Sequence, residues 1–220
     1  MVENLKKINL ILKLRKLGVT NHKVLSVIEK TPREQFIEKI LSYKAYQNKA
    51  LPIDCNQTIS QPAIVAKMTE LLEPEKSSIV MEVGTGSGYQ TAVLSHLFKR
   101  IYTIERHKKL IDKAENTLNN LKINNIVYYH GDGTKGWPAK FNFKRIIITA
   151  VSKKVPKKIL SQLSNNGILI LPLIYNQNQY ITKITKKNEK FFYKKYWKVR
   201  FVPLISDKEW IKCLIFFKKI

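Results

Sequence analysis

The 220-residue chain has two cysteines, Cys55 and Cys213, with no C-x-x-C partner and no histidine cluster beside them. That scarcity argues against a structural zinc site and against a disulfide-stapled secreted scaffold, so no metal is expected and the compartment implied is a reducing cytoplasm. Long apolar runs are also missing. The longest uncharged apolar runs, 146–151 and 167–175, fall far short of the roughly 18 residues that a membrane-spanning helix needs, and no membrane association is expected. The basic, apolar stretch 4–17 is interrupted by Lys13 and Arg15 and is followed by no small-residue cleavage site. It reads as an amphipathic helix of the mature protein rather than a signal peptide.

Acidic residues are few: 16 Asp and Glu stand against 40 Lys and Arg, a net charge of +24. Such a charge makes nucleic acid the first partner to weigh, because neutralised phosphates supply non-specific affinity. Arginine, the better bidentate reader of phosphate and guanine, is scarce as well, occurring only at positions 15, 33, 100, 106, 145 and 200. The remaining positive charge is lysine scattered through every segment. We read it as a bias of the solvated surface with no specific nucleic-acid partner, although its field can attract an anionic substrate.

No internal repeat or low-complexity linker divides the chain, and its length and its apolar content of 44% suit one domain with a sizeable core. Within that domain, 1–75 reads as an N-terminal helical layer, 76–175 as a ligand-binding core and 176–220 as C-terminal strands. Helices are expected over 5–17 and 21–29, and again from Thr31-Pro32-Arg33-Glu34, where a capping Thr, a Pro at the first helical position and a Glu three residues after the cap form a capping-box pattern. A further helix is expected over 62–72. From Ser78 onward short β-branched runs (79–83, 101–105, 126–130, 145–149, 168–171) alternate with helical stretches (89–98, 108–121, 156–163). This alternation predicts an α/β fold, a doubly wound, mostly parallel Rossmann-like sheet. Residues 179–185 and 196–204 lack an intervening helix and are expected to close the sheet as an antiparallel strand pair.

The strongest motif is Met81-Glu82-Val83-Gly84-Thr85-Gly86-Ser87-Gly88-Tyr89, at a strand-to-helix turn. Glycines at this spacing let the main chain approach a ligand closely. Tyr89 occupies the place where the dinucleotide fingerprint needs its third glycine, which disfavours a nicotinamide or flavin dinucleotide. Glu82, Gly84, Thr85, Gly86 and Gly88 are the candidate contacts of a different nucleoside. Glu105, about twenty residues downstream at a strand end, is placed to accept hydrogen bonds from both ribose hydroxyls. Asp132 and Gly133, in Gly131-Asp132-Gly133 at the next strand end, are candidates for the adenine side, although an Asp between glycines also suits a plain turn.

With these features in hand, the sequence resembles the protein-L-isoaspartate O-methyltransferase family over nearly its whole length. The segments that carry the resemblance are Gln57-Thr58-Ile59-Ser60-Gln61-Pro62, Pro32-Arg33-Glu34-Gln35-Phe36, residues 168–172 and Val199-Arg200-Phe201-Val202-Pro203-Leu204, in the family's order and approximate spacing. It implies a class I methyltransferase fold, S-adenosylmethionine as cofactor, and isoaspartyl-containing proteins and peptides as substrates of a repair enzyme, and a monomer is expected. It further implies that Ser60 lies at the catalytic centre and that Gln57, Thr58, Ile59 and Ser60 join Gly84, Glu105, Asp132 and Gly133 around the cofactor. Val199, Phe201, Val202, Pro203 and Leu204 would contribute a peptide-binding strand. Three positions depart from the family pattern: Asn56 stands where Gly is expected, Ala63 replaces a larger residue, and Lys144 takes a commonly acidic place that would put a reversed charge near the pocket mouth. Asn56 can keep the turn, because Asn tolerates left-handed backbone better than most residues.

The chemistry implied for Ser60 needs no general base. The α-carboxylate of an isoaspartyl residue has a pKa of roughly 3.5 and is already ionised at neutral pH, so the protein has only to orient it. The absence of a His–Asp or Cys–His constellation agrees with this reaction. Ser60 also reads as a helix N-cap before Gln61-Pro62. An RNA or DNA methyltransferase is the main rival, yet Thr149-Ala150-Val151-Ser152 stands where base N-methylation uses Asn/Asp-Pro-Pro-aromatic, and neither cysteine follows a proline. A non-catalytic nucleic-acid-binding protein that retains the fold is the other; the intact glycines and Glu105 count against it.

Overall fold

The computed structural model describes residues 2–207; Cys213 and the rest of 208–220 lie outside the described residues. Helix α1 (Val2–Lys16) buries Leu10, Ile11 and Leu14, one turn apart on one side. Helix α2 (His22–Lys30) begins where Asn21 Oδ1 accepts the Val24 N–H at 3.1 Å, and buries Val24, Leu25 and Ile28.

The helix expected from Thr31 does not form. The Thr31 hydroxyl donates back to the Val27 carbonyl at 2.8 Å, so the residue terminates α2 and has no side chain left to cap a new helix. Residues Arg33–Phe36 make only a short 3₁₀ turn without a side-chain cap, and a second such turn covers Lys39–Lys44.

A small antiparallel hairpin, β1 (Leu51–Ile53) with β2 (Gln57–Ile59), escapes any sequence periodicity because each strand is three residues long. Its turn holds Cys55 at φ 58° and Asn56 at φ 55°, closed by the Gln57 N–H on the Asp54 carbonyl at 3.1 Å. Asn56 therefore takes up the left-handed conformation expected of it, as successive positive φ values in a tight hairpin turn require. Helix α3 (Pro62–Leu71) comes next, with Pro62 in its first turn and Ala63, Val65, Ala66 and Met68 buried.

The main sheet comprises β3 (Ile79–Val83), β4 (Arg100–Glu105), β5 (Ile126–His130), β6 (Phe143–Ile148), β7 (Leu163–Tyr175), β8 (Asn178–Lys187) and β9 (Lys190–Val199), in the order β5-β4-β3-β6-β7-β8-β9. Strands β5, β4, β3, β6 and β7 run parallel, linked through α4 (Tyr89–Leu97), α5 (Lys108–Asn120) and α6 (Lys157–Ser161). The chain winds outward from β3 through β4 to β5, then returns to the other side of β3 as β6. That reversal opens a crevice at the carboxyl ends of β3 and β6, where open α/β sheets take ligands.

Alternation along each strand sorts the core into two layers. Val80, Ile147 and Ile170 face α1 to α5, whereas Met81, Ile146, Ile148 and Leu169 face α6 and the aromatic group of Tyr102, Trp137 and Phe141. Helix α6 is only five residues long, so the second layer owes much of its cover to those aromatic rings.

The carboxyl-terminal part differs from the expected strand pair. Strand β7 runs for 13 residues, and β7, β8 and β9 form an antiparallel ribbon of three. Strand β9 stops at Val199, not at Leu204; beyond it Val202 accepts the Val151 N–H and Leu204 donates to the Val151 carbonyl, both at 2.8 Å. The segment thus leaves the ribbon and crosses the carboxyl end of β6, because its hydrogen-bonding partner changes from β8 to residue 151. Among the described residues no helix is long and apolar enough to cross a membrane.

Candidate active site

The turn from β3 into α4 carries Gly84, Gly86 and Gly88 at φ +97°, +55° and +87°. At Gly84 a side chain would place Cβ 2.3 Å from Thr149 Oγ1, so the main chain is bare where β3 meets β6. The Thr149 hydroxyl donates to the Gly84 carbonyl at 2.8 Å and fixes that peptide. Gly86 N–H is held from the other side by Glu105 Oε2 at 3.0 Å, and the His107 N–H donates to Glu105 Oε1, also at 3.0 Å. Glu105 thereby ties the glycine turn to the end of β4 while keeping acceptor capacity toward the crevice it lines with Gln57, Thr58, Gly84 and Gly133.

Two candidates from the same motif do not face the crevice. Gly88 caps α4, and a Cβ there would lie 3.1 Å from Ala114 Cβ; its small size serves the packing of α5 rather than ligand contact. Glu82 is fully buried beneath the turn, where its Oε2 accepts from Thr91 at 2.6 Å and Thr103 at 2.7 Å, and Thr103 in turn accepts from Thr85 at 2.6 Å. Its Oε1 is buried without a partner. Burial pushes the Glu82 carboxyl up to about 8, against the two threonine hydrogen bonds that favour its charged form, with the charge of Glu105 adding to the rise. Glu82 is consequently a neutral acid at pH 7 that supports the turn from below.

Asp132 is engaged locally. Its Oδ1 accepts from Thr134 N–H at 2.9 Å and Thr134 Oγ1 at 2.7 Å, and its Oδ2 accepts the Asp207 N–H at 2.8 Å. Gly133 lies against β3, where a Cβ would come within 2.2 Å of Val83 Cγ1. A recess of about 990 Å³ beside Tyr129, Trp137 and Gln162 has Asp132 at its wall but holds none of Ser60, Gly84 or Glu105. Ser60, Gly84 and Glu105 line other, smaller cavities.

Ser60 stands between two of them. On one side it shares a cavity with Gly84, Thr85, Gly86 and Ser87; on the other it lines a groove of about 700 Å³ with Gln61, Ile64, Val199, Phe201 and Val202. Its hydroxyl makes no hydrogen bond among the described residues, and the N-cap of α3 is Gln61, which makes no side-chain cap bond. The capping role expected for Ser60 is thus not the one it plays. Pro203 and Leu204, expected on the peptide side with Val199, Phe201 and Val202, instead line the crevice of Gly84 and Glu105. Lys144 lies exposed near the amino end of β6, at the opposite end of the sheet from the carboxyl-end crevice, so it puts no charge at the pocket mouth.

Comparisons with known proteins show the family. The family model for protein-L-isoaspartate(D-aspartate) O-methyltransferase matches residues 5–209. The chain belongs to that family. It is 50% identical over 195 residues to the protein-L-isoaspartate O-methyltransferase of Aliivibrio fischeri, covering 89% of this chain and 93% of the relative. Identity to the Photobacterium profundum protein of the same name is 48% over 198 residues, covering 90% and 94%. A crystal structure of a putative protein-L-isoaspartate O-methyltransferase from Plasmodium falciparum, in complex with S-adenosyl-L-homocysteine, has the same fold with a TM-score of 0.78 at 24% identity, over 90% of this chain and 98% of that one.

Within this member of the family, one residue at the site had no role assigned from sequence. Arg33 is fully buried, with NH1 donating to the Ala45 carbonyl at 2.6 Å and NH2 donating to the Lys49 and Ser60 carbonyls, both at 3.1 Å. Its guanidinium lies 5.6 Å from the centroid of the buried Tyr89 ring. Burial lowers the Arg33 pKa, partly offset by the neighbouring tyrosines Tyr89 and Tyr46. Arg33 therefore anchors the main chain of Ser60 from behind. Its signals in the sequence were being an arginine in a chain that mostly uses lysine and lying in the resemblance segment 32–36, but the capping-box pattern around it pointed elsewhere.

Proposed function

We propose that this protein is a repair enzyme that transfers the methyl group of S-adenosylmethionine to the free α-carboxylate of L-isoaspartyl residues in damaged proteins and peptides. The observation that carries the reading is the place of Ser60, which borders the glycine-turn cavity on one side and the groove of Val199, Phe201 and Val202 on the other. The residues suit a nucleoside bearing a sulfonium: Gly84 and Gly133 line the crevice without side chains, and Glu105 offers an acidic acceptor beside them at the end of β4.

In this reading Gln57, Thr58, Ile59, Ser60, Gly84, Thr85, Gly86, Glu105 and Gly133 hold the cofactor, with Glu105 taking the ribose hydroxyls and Asp132 contributing at the adenine end through the spare lone pairs of its carboxylate. When bound, the cofactor supplies an electrophilic methyl group. Ser60 donates one hydrogen bond to the substrate carboxylate, leaving the other oxygen charged and aimed across the cavity boundary. Phe201 and Val202 exclude water from that oxygen, and Arg33 keeps the Ser60 main chain in register. We further read the protein as a monomer made of a single methyltransferase domain over 1–220. We place it in the cytoplasm, with isoaspartyl proteins as partners and neither a membrane nor a specific nucleic acid.

The test is methyl transfer from labelled cofactor to a matched pair of peptides, one isoaspartyl and one normal aspartyl. Label entering the isoaspartyl peptide alone is expected; equal labelling of the pair, or of neither, overturns the reading.

A further inference from the structure

The β8–β9 ribbon is strongly one-sided in charge. Between residues 183 and 200 there are seven lysines and Arg200 against a single acidic residue, Glu189. The strand register sets like charges directly opposite one another, Lys183 against Lys194 and Lys187 against Lys190, an arrangement that destabilises a sheet. Lys183 is matched by Glu73 and Lys186 by Glu189, but Lys187, Lys190, Lys194 and Lys198 have no carboxylate within ion-pair distance among the described residues. Phe192 and Tyr193, 55% and 52% exposed, stand among these lysines. Among the described residues strand β9 is the last strand of the sheet, and one edge of its main chain pairs with no other described strand.

The ribbon leads into the candidate active site. Lys198, Val199 and Arg200, at the end of β9 and just beyond it, line the groove that Ser60 borders. We infer that the β8–β9 ribbon is a docking track for acidic polypeptide, selecting substrates whose isoaspartyl residue is flanked by Asp and Glu; this rests on the reading of the Ser60 groove as the acceptor site. A carboxylate-bearing segment relieves the Lys–Lys repulsion that the register builds in. Its main chain can add to the outer edge of β9, and its apolar side chains can cover Phe192 and Tyr193. Continuity with the groove favours a polypeptide over nucleic acid, as does a ribbon built of lysine with Arg200 as its one arginine. Strand β9 spans about 30 Å, so acidic residues up to about nine positions from the isoaspartyl residue are within reach.

The experiment uses the full chain, its K187E/K190E/K194E variant and the milder K187Q/K190Q/K194Q variant. All three substituted side chains lie away from the groove. Isoaspartyl peptides with neutral, acidic or basic tails on either side are compared by methyl transfer and, independently, by fluorescence anisotropy in the presence of S-adenosylhomocysteine. At low ionic strength the acidic-tailed peptide is expected to bind about 10-fold more tightly than the neutral one and to gain as much in kcat/KM, with the advantage gone at about 0.5 M salt. The Glu variant should lose or invert that preference and the Gln variant should weaken it, both turning over the neutral peptide at the parent rate. Equal affinity for acidic and neutral tails in the parent, or a preference retained in both variants, overturns the inference. So does a single-stranded oligonucleotide that binds the parent but not the Glu variant while acidic and neutral peptides bind alike. Failure to methylate the neutral isoaspartyl peptide strikes the acceptor-site reading instead, and the anisotropy still decides the ribbon.

Discussion

Ser60 and Glu82 are polar residues of the same site with opposite requirements. The Ser60 hydroxyl is unengaged within the described structure, so Ser60→Ala should change unfolding stability by no more than about 0.5 kcal/mol. Losing one hydrogen bond to a charged group in the transition state should lower kcat by roughly 10- to 100-fold, with S-adenosylhomocysteine affinity nearly unchanged. Turnover and chemical unfolding measured on the same variant check both halves, and full activity in the folded variant would remove Ser60 from the chemistry. Glu82 is expected to act through pH. Its folded carboxyl titrates at about 8, above the ordinary carboxyl range, so between about pH 4.5 and 8 the folded state holds a proton that the unfolded state has released. The stability from this group is complete below the unfolded pKa and is lost as pH rises through the folded one, with a slope of at most about 1.4 kcal/mol per pH unit. Glu82→Gln, which mimics the neutral acid, should flatten that slope in denaturant titrations from pH 5 to 9.

The turn between β3 and α4 shows how one element divides its work among three glycines. Gly84 lines the crevice, and both its φ of +97° and the 2.3 Å approach of Thr149 Oγ1 forbid a side chain there. Gly88 answers to α5 instead, through Ala114 and Leu118 at 3.1 and 3.2 Å. Gly84→Ala is therefore expected to abolish the thermal shift produced by S-adenosylhomocysteine. Gly88→Ala should lower stability by about 1–3 kcal/mol from strain and overpacking, yet still bind the ligand at temperatures where it is folded. Ligand-induced shifts in melting temperature, measured on both variants, distinguish the two. If both lose binding equally, the division is wrong.

At the scale of the molecule, β2, β3, β4, the residues just after β6 and the segment after β9 come together around one crevice. A ligand that binds only this assembled state stabilises it by mass action, about 2.7 kcal/mol at a concentration 100 times its Kd. For a chain of this size that corresponds to a rise in Tm of roughly 5–10 °C with S-adenosylhomocysteine. Glu105→Ala should reduce the rise sharply, because the Gly86 and His107 N–H groups lose their common acceptor as the ribose loses its own. An undiminished shift in that variant would reassign the ribose contact.

Features written within a few neighbouring residues were settled by the amino-acid order alone. The bounds of β3 and β5, the alternation of strands with α4 and α5, the left-handed Asn56 and the glycine turn all come from hydrophobic period or local backbone preference, and the segment around Ser60 was legible through family resemblance. Folding in three dimensions chose whatever depends on a partner far along the chain. Thr31 was legible as a cap but is claimed by the preceding helix. Glu82 was legible as part of the motif, but not as a neutral acid bonded to Thr91 and Thr103. Arg33 reaches the Ser60 carbonyl across 27 residues, and Asp132 takes the Asp207 amide across 75. The segment after Val199 leaves β8 for Val151, which turns an expected strand into a wall of the crevice. Such choices turn on which buried donor meets which acceptor. A buried polar group must find a partner wherever the fold brings one, and short-range pattern carries no information about distant partners.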